Sequence, residues 1–96
     1  MLTFNDLIFN DHFGGINASH KFDNGWAISV SAGKMPYSTP RENHPHSHNY
    51  SSFEVAVFNP QGEFAINEIL KDRLWDVAGW QGRDDIDNII EMISNI

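Results

Sequence analysis

Residues 16–32, INASHKFDNGWAISVSA, restrict the fold more than any other stretch. Apolar and polar residues alternate on both sides of Asp23-Asn24-Gly25, and alternation at period two marks a strand with one buried face. A hairpin is therefore expected, and its register follows from which side chains must share a face. A two-residue Asn-Gly loop pairs Phe22 with Ala27 and sends the apolar sets of the two strands to opposite faces. A three-residue loop pairs Phe22 with Trp26, His20 with Ile28 and Ala18 with Val30, and only that register builds one apolar surface. It requires Gly25 in the left-handed position of a type I turn followed by a bulge.

An apolar sheet face needs a cover. DDIDNIIEMISNI at the end of the chain supplies one, with Ile86, Ile89, Ile90 and Ile93 at helical spacing. Asp84 is the expected N-cap, and Asp85 and Asp87 suit the positive end of the helix dipole. SFEVAVF at 52–58 reads as a further strand with Phe53, Val55 and Val57 on one face, and NPQG at 59–62 as a turn. EFAI then forms an expected fourth strand, with Val57 opposite Phe64 and Val55 opposite Ile66. NEILKDRLWDVAGWQG is ambiguous: Ile69, Leu70, Leu74 and Val77 suit a helix capped by Asn67 and ended by Gly79 and Gly82. The opening MLTFNDLIF is a short strand or an irregular segment pinned by Phe4 and Leu7, and NDHFGG is a turn. Residues 33–51 hold three of the four prolines and no periodicity, the composition of a long mobile surface loop. The fold expected is a single α+β domain over 1–96, a three- to four-stranded antiparallel sheet with a C-terminal helix packed on one face.

FNDLIF near the start, FDNGWAISV, FEVAVFNPQGEF and DVAGW before the terminal helix occur in an order that resembles a set of small proteins of unknown function encoded by tailed bacteriophages and prophages. The likeness touches most of the chain except 33–51, which looks like an expansion of a shorter Gly- and Tyr-rich loop. Its motifs are turn glycines, core aromatics and a helix stripe. The resemblance therefore implies origin and fold, and it carries no functional residues. By analogy with small phage products that inhibit restriction and CRISPR defences, it implies a host protein as partner, such as a defence or nucleic-acid-handling factor.

Thirteen acids face six bases, for a formal net charge of −7. Lys21, Lys34, Arg41, Lys71, Arg73 and Arg83 are scattered, so no basic stripe forms to displace counterions from phosphate, and neither nucleic acid nor an anionic membrane is an expected partner. A protein with a basic surface is. No cysteine is present, which excludes disulfides and thiol chemistry. No run reaches the ~18 apolar residues that read as a membrane span. The start lacks the basic region and long apolar core of a signal peptide, and the host cytoplasm is the expected compartment. Nucleophile-elbow and phosphate-loop motifs of the GxSxG, GxxxxGK and GxGxxG kinds are missing. The expectation is accordingly a protein without enzymatic activity and without a cofactor.

His44, His46 and His48 alternate within RENHPHSHNY and carry the alternative of a metal-binding module or metal-dependent enzyme, because imidazoles at this spacing can close on Zn, Ni or Cu. Pro45 interrupts the run, the segment has no strand pattern, and no acid stands at ligand spacing, so no metal site is expected. A cupin-like reading fails because Glu54 falls one residue too far and the second cupin motif is absent. His20 reads as a core-edge imidazole. Trp75 and Trp80 flank DVAG, and one is expected in the core. Trp80, with Asp84, Asp87 and Glu91 as an acidic stripe on the outer face of the terminal helix, is the expected partner-binding surface. A small structural homo-oligomer is the third reading.

Overall fold

The computed structural model describes residues 2–71 and 76–96, so Leu74 and Trp75 lie outside the described residues. A single-turn 3-10 helix at Phe4–Asp6 opens the chain. Strands β1 (Asn10–His12), β2 (Gly15–Lys21), β3 (Ala27–Ala32) and β4 (Phe53–Phe58) follow, then a one-turn helix α1 (Ile66–Ile69), strand β5 (Ala78–Gln81) and helix α2 (Arg83–Ser94). The five strands form one antiparallel sheet in the order β1-β2-β3-β4-β5.

The hairpin register is the one that puts the apolar sets of both strands on one face. Ala18 pairs with Val30 and His20 with Ile28, and the Phe22 N–H donates to the Trp26 carbonyl at 2.7 Å. Gly25 sits at φ 90°, a conformation that a β-branched residue resists. Ile16, Ile28, Val30, Phe53, Val55 and Val57 line the covered face, and Ile86, Ile89, Ile90 and Ile93 of α2 are buried in the same core. Each of these isoleucines gains about 1.5–3 kcal/mol from burial. His20 is half-buried at the core edge, its ring edge-on to Phe22.

α2 is tied down at both ends by polar groups. The Gly82 N–H donates to the Asp85 carboxylate at 2.9 Å, so Gly82 is the cap and Arg83 the first helical residue. Asp84 therefore lies inside the first turn instead of capping it. The Asp87 carboxylate accepts the Phe4 N–H at 2.7 Å and anchors the N-terminal segment. At the other end, the Asn24 amide donates at 2.9 Å to the Ile93 carbonyl, which also accepts the Ile96 N–H at 3.2 Å, and this ties the hairpin tip to the last turn.

The sheet has five strands where three or four were expected. β1 is three residues of polar sequence, too short to show a period, and becomes a strand because Phe13-Gly14 folds it onto β2. β5 was hidden in a segment whose Ile69, Leu70 and Val77 fall at helical spacing. Among the described residues of that segment the helix is confined to Ile66–Ile69, and Ala78–Gln81 pairs with β4. EFAI is not a strand. The Asn59 side chain accepts the Gln61 and Glu63 N–H groups, which lengthens the turn by one residue. Phe58 rather than Val57 then faces Phe64, in an isolated bridge, and Ile66 starts α1.

Residues 33–51 contain one regular turn, a 3-10 helix at Ser47–Asn49, and one bridge, Thr39 to Ser52. Their path is fastened by buried polar groups. The Ser38 hydroxyl accepts the Gly33 N–H at 3.1 Å and reaches the Pro40 carbonyl at 2.9 Å. The buried Tyr50 hydroxyl donates to the Glu42 carbonyl at 2.6 Å and accepts the His44 N–H at 2.7 Å. Arg83 is the central clamp. Its guanidinium donates to the carbonyls of Tyr50 and Ser47 at 2.9 and 3.0 Å while lying 5.0 and 5.3 Å from the Phe4 and Phe53 ring centres. Arg83→Ala is expected to destabilise the domain by about 2 kcal/mol, from two charge-assisted hydrogen bonds and two cation–π contacts. Urea unfolding measures the loss, and amide exchange should rise first at 42–50. An unchanged urea midpoint would show that the loop needs no clamp.

Candidate functional site

Strand alternation that buries one face leaves the other free of α2. That open face carries Asn17 and Ser19 of β2, Ser29 and Ser31 of β3, and Glu54 and Ala56 of β4. The Asn17 amide donates to the Ser29 and Ser31 hydroxyls at 2.9 and 2.8 Å, and Ser19 donates back to Asn17. The result is a polar, self-satisfied surface, with larger groups assembled at its β5 edge.

A bulge builds that edge. Phe53 pairs with Gln81 and Val55 with Ala78, so Gly79 and Trp80 together oppose Glu54 alone. Trp80 takes up the extra length in the left-handed region, φ 53°, which costs a residue other than glycine about 1–3 kcal/mol. Gly79 is required for a different reason. A Cβ there would stand 2.7 Å from the Tyr37 Cβ, so only glycine lets the loop residue approach.

Tyr37 is then held between two strands. Its N–H donates to the Glu54 carboxylate at 2.8 Å, and its carbonyl accepts the Trp80 N–H at 2.9 Å. The phenol and indole rings stack with centres 5.1 Å apart at 32°. The Arg41 guanidinium lies 5.0 Å from the Tyr37 ring centre and donates to the Met35 carbonyl at 2.9 Å. Trp80 remains 58% exposed and Tyr37 44%. Beside this stack an open cleft of about 260 Å³ lies against β1 and β3, lined by His12, Phe13, Ser31, Lys34, Met35 and Glu54. Phe13 and Met35 are themselves largely exposed.

The four residues expected to form one partner surface fall on two sides of the sheet. Trp80 stacks on the open face. Asp84 and Glu91 are exposed on α2, which covers the other face. Asp87 is half-buried and occupied by the Phe4 N–H. The three loop histidines also separate: His44 Nε2 lies 3.1 Å from Glu42 Oε1, whereas the His46 and His48 rings stack on each other at 5.2 Å. Among the described residues no three His, Asp or Glu side chains converge as metal ligands. Tyr37 and Arg41 were not singled out from sequence because they sit in an aperiodic loop. The available signal was Gly79 directly before an aromatic residue.

Scans against protein-family models and comparisons with curated proteins and with solved structures find no match. No helix among the described residues is long and apolar enough to cross a membrane.

Because Trp80 combines a strained backbone with an exposed ring, removing it should cost the fold little. Trp80→Gly is expected to lie within about 1 kcal/mol of the parent, relief of strain offsetting loss of the stack. Urea unfolding tests this. A loss above about 2 kcal/mol would show that the indole is structural, as a buried aromatic is.

Proposed function

We propose that this chain is a non-enzymatic binding module that docks a protein with a basic surface through the open face of its sheet, with Trp80 and Tyr37 as the anchor. The observation that carries the reading is the exposed Trp80 ring on a left-handed backbone, stacked on a tyrosine that is hydrogen-bonded at both its N–H and its carbonyl. Strain of that kind persists only where the surroundings impose it, and it concentrates at functional sites. Trp, Tyr and Arg are the residues that dominate interface energies, and here they form one stack fixed before any partner arrives, which lowers the entropy lost on binding.

The acids act at a distance. A net charge of −7 attracts a basic partner and raises the encounter rate. Asp84 and Glu91, on the far side of the sheet from Trp80, contribute to steering instead of to contact. The resemblance to tailed-phage proteins makes a host protein, in the host cytoplasm, the partner class. Inhibition of a defence or nucleic-acid-handling factor is the activity this implies.

Host proteins captured on the immobilised parent should be compared with those captured on Trp80→Ala, and the binding kinetics of any difference measured at low and high salt. Trp80→Ala is expected to speed dissociation by at least roughly tenfold, the value of a hot-spot residue. Asp84→Lys with Glu91→Lys should slow association alone, and only at low salt. Capture independent of Trp80, or charge reversals that speed dissociation, would move the interface to α2. Self-association lost in Trp80→Ala would make a second copy of the chain the partner.

A further inference from the structure

The chain has a single Asn-Gly pair, Asn24–Gly25, at the tip of the β2–β3 hairpin. Asparagine followed by glycine is the pair most open to attack of the next backbone nitrogen on the side-chain amide carbon, because glycine offers no Cβ to hinder the approach. In this fold every reacting group is engaged. Asn24 Nδ2 donates to the Ile93 carbonyl in the last turn of α2 at 2.9 Å. Asn24 Oδ1 accepts the Trp26 N–H at 3.0 Å. The attacking nitrogen, that of Gly25, donates to the Phe22 carbonyl at 3.0 Å. Asn24 is nonetheless solvent-exposed, so water reaches it and only these bonds stand in the way.

We propose that Asn24 is a modification site whose deamidation is gated by docking of the C-terminal end of α2. When the helix end frays, Nδ2 is released, and with that tether gone the hairpin tip opens its own bonds, Trp26 N–H to Asn24 Oδ1 and Gly25 N–H to the Phe22 carbonyl, so that the side chain turns toward the Gly25 nitrogen. That nitrogen gives up its proton and bonds to Asn24 Cγ. The Cγ–Nδ2 bond breaks and Nδ2 leaves as ammonia with the proton. Water then opens the five-membered succinimide at either carbonyl to give aspartate or isoaspartate, with no change of oxidation state.

Either product opposes re-docking. The amide donor to Ile93 is gone, and a carboxylate faces the carbonyl end of a helix, where the dipole repels negative charge. Isoaspartate also adds a backbone atom to a three-residue loop whose length sets the sheet register. The reaction is thus one-way, and it records how often the hairpin and helix have parted.

Peptide mass spectrometry of the full chain at mildly alkaline pH tests this, in native buffer and in denaturing urea. Deamidation at Asn24 is expected to be at least about tenfold slower in the native protein, as for any reaction that waits on local opening. Ser94→Gly should speed it without unfolding the domain, because Ser94 Oγ donates to the Ile90 carbonyl at 2.8 Å and glycine loosens the last turn. The deamidated fraction and Asn24→Asp should both unfold at lower urea than the parent. Equal native and unfolded rates would overturn the gate, and so would a parental rate in Ser94→Gly. A deamidated fraction as stable as the parent would overturn its consequence.

Discussion

The structure depends on burial of one alternating apolar face beneath four isoleucines of α2. Neither surface is stable alone: the sheet would expose Ile28, Val30, Phe53, Val55 and Val57, and a twelve-residue helix is marginal in water by itself. Side-chain alternation makes the contact all-or-none, since a one-residue slip of any strand would send its apolar set to solvent. The polar ties at the ends of α2, from Asp85, Asp87 and Asn24, then fix where along the sheet the helix lies. They join the first residues, the hairpin tip and the helix into one closed arrangement.

That one-sidedness also leaves one face of the sheet free of α2. With α2 on one side, the other side of the sheet is polar, and Asn17, Ser19, Ser29 and Ser31 bond to one another there. Large groups stand above that surface at its β5 edge. The β4–β5 bulge raises Trp80, and the absence of a side chain at Gly79 admits Tyr37 beside it. Glu54 serves this arrangement by accepting the Tyr37 N–H. It makes the polar face and the aromatic stack one construction.

How much could be read in advance followed the length of each periodic run. The β2–β3 register and the α2 stripe were legible because seven or more residues in each repeat a single pattern. β5 was not: four residues interrupted by a bulge show no period, and neighbouring Ile69, Leu70 and Val77 mimic a helix. The fourth strand went astray through a local competitor, the Asn59 side chain, which lengthened the turn and shifted the pairing by one. At the candidate site, Trp80 stood out as a large residue before the helix. Tyr37 and Glu54 did not, because they meet Trp80 and Gly79 only through tertiary structure. The acidic stripe was legible as spacing along a helix, but spacing does not tell that Asp87 is drawn inward by a backbone N–H from the start of the chain.

The Tyr37–Trp80 stack is set in place within the free chain by the hydrogen bonds at the Tyr37 N–H and carbonyl. Amide hydrogen exchange in the free protein addresses it residue by residue. The Tyr37 N–H, bonded to Glu54, and the Trp80 N–H, bonded to the Tyr37 carbonyl, are predicted to exchange as slowly as the amides of β4, well behind the neighbouring loop amides of Met35 and Arg41. Exchange of both at the rate of those loop amides would contradict the account, since the aromatic pair would then form only on contact with a partner.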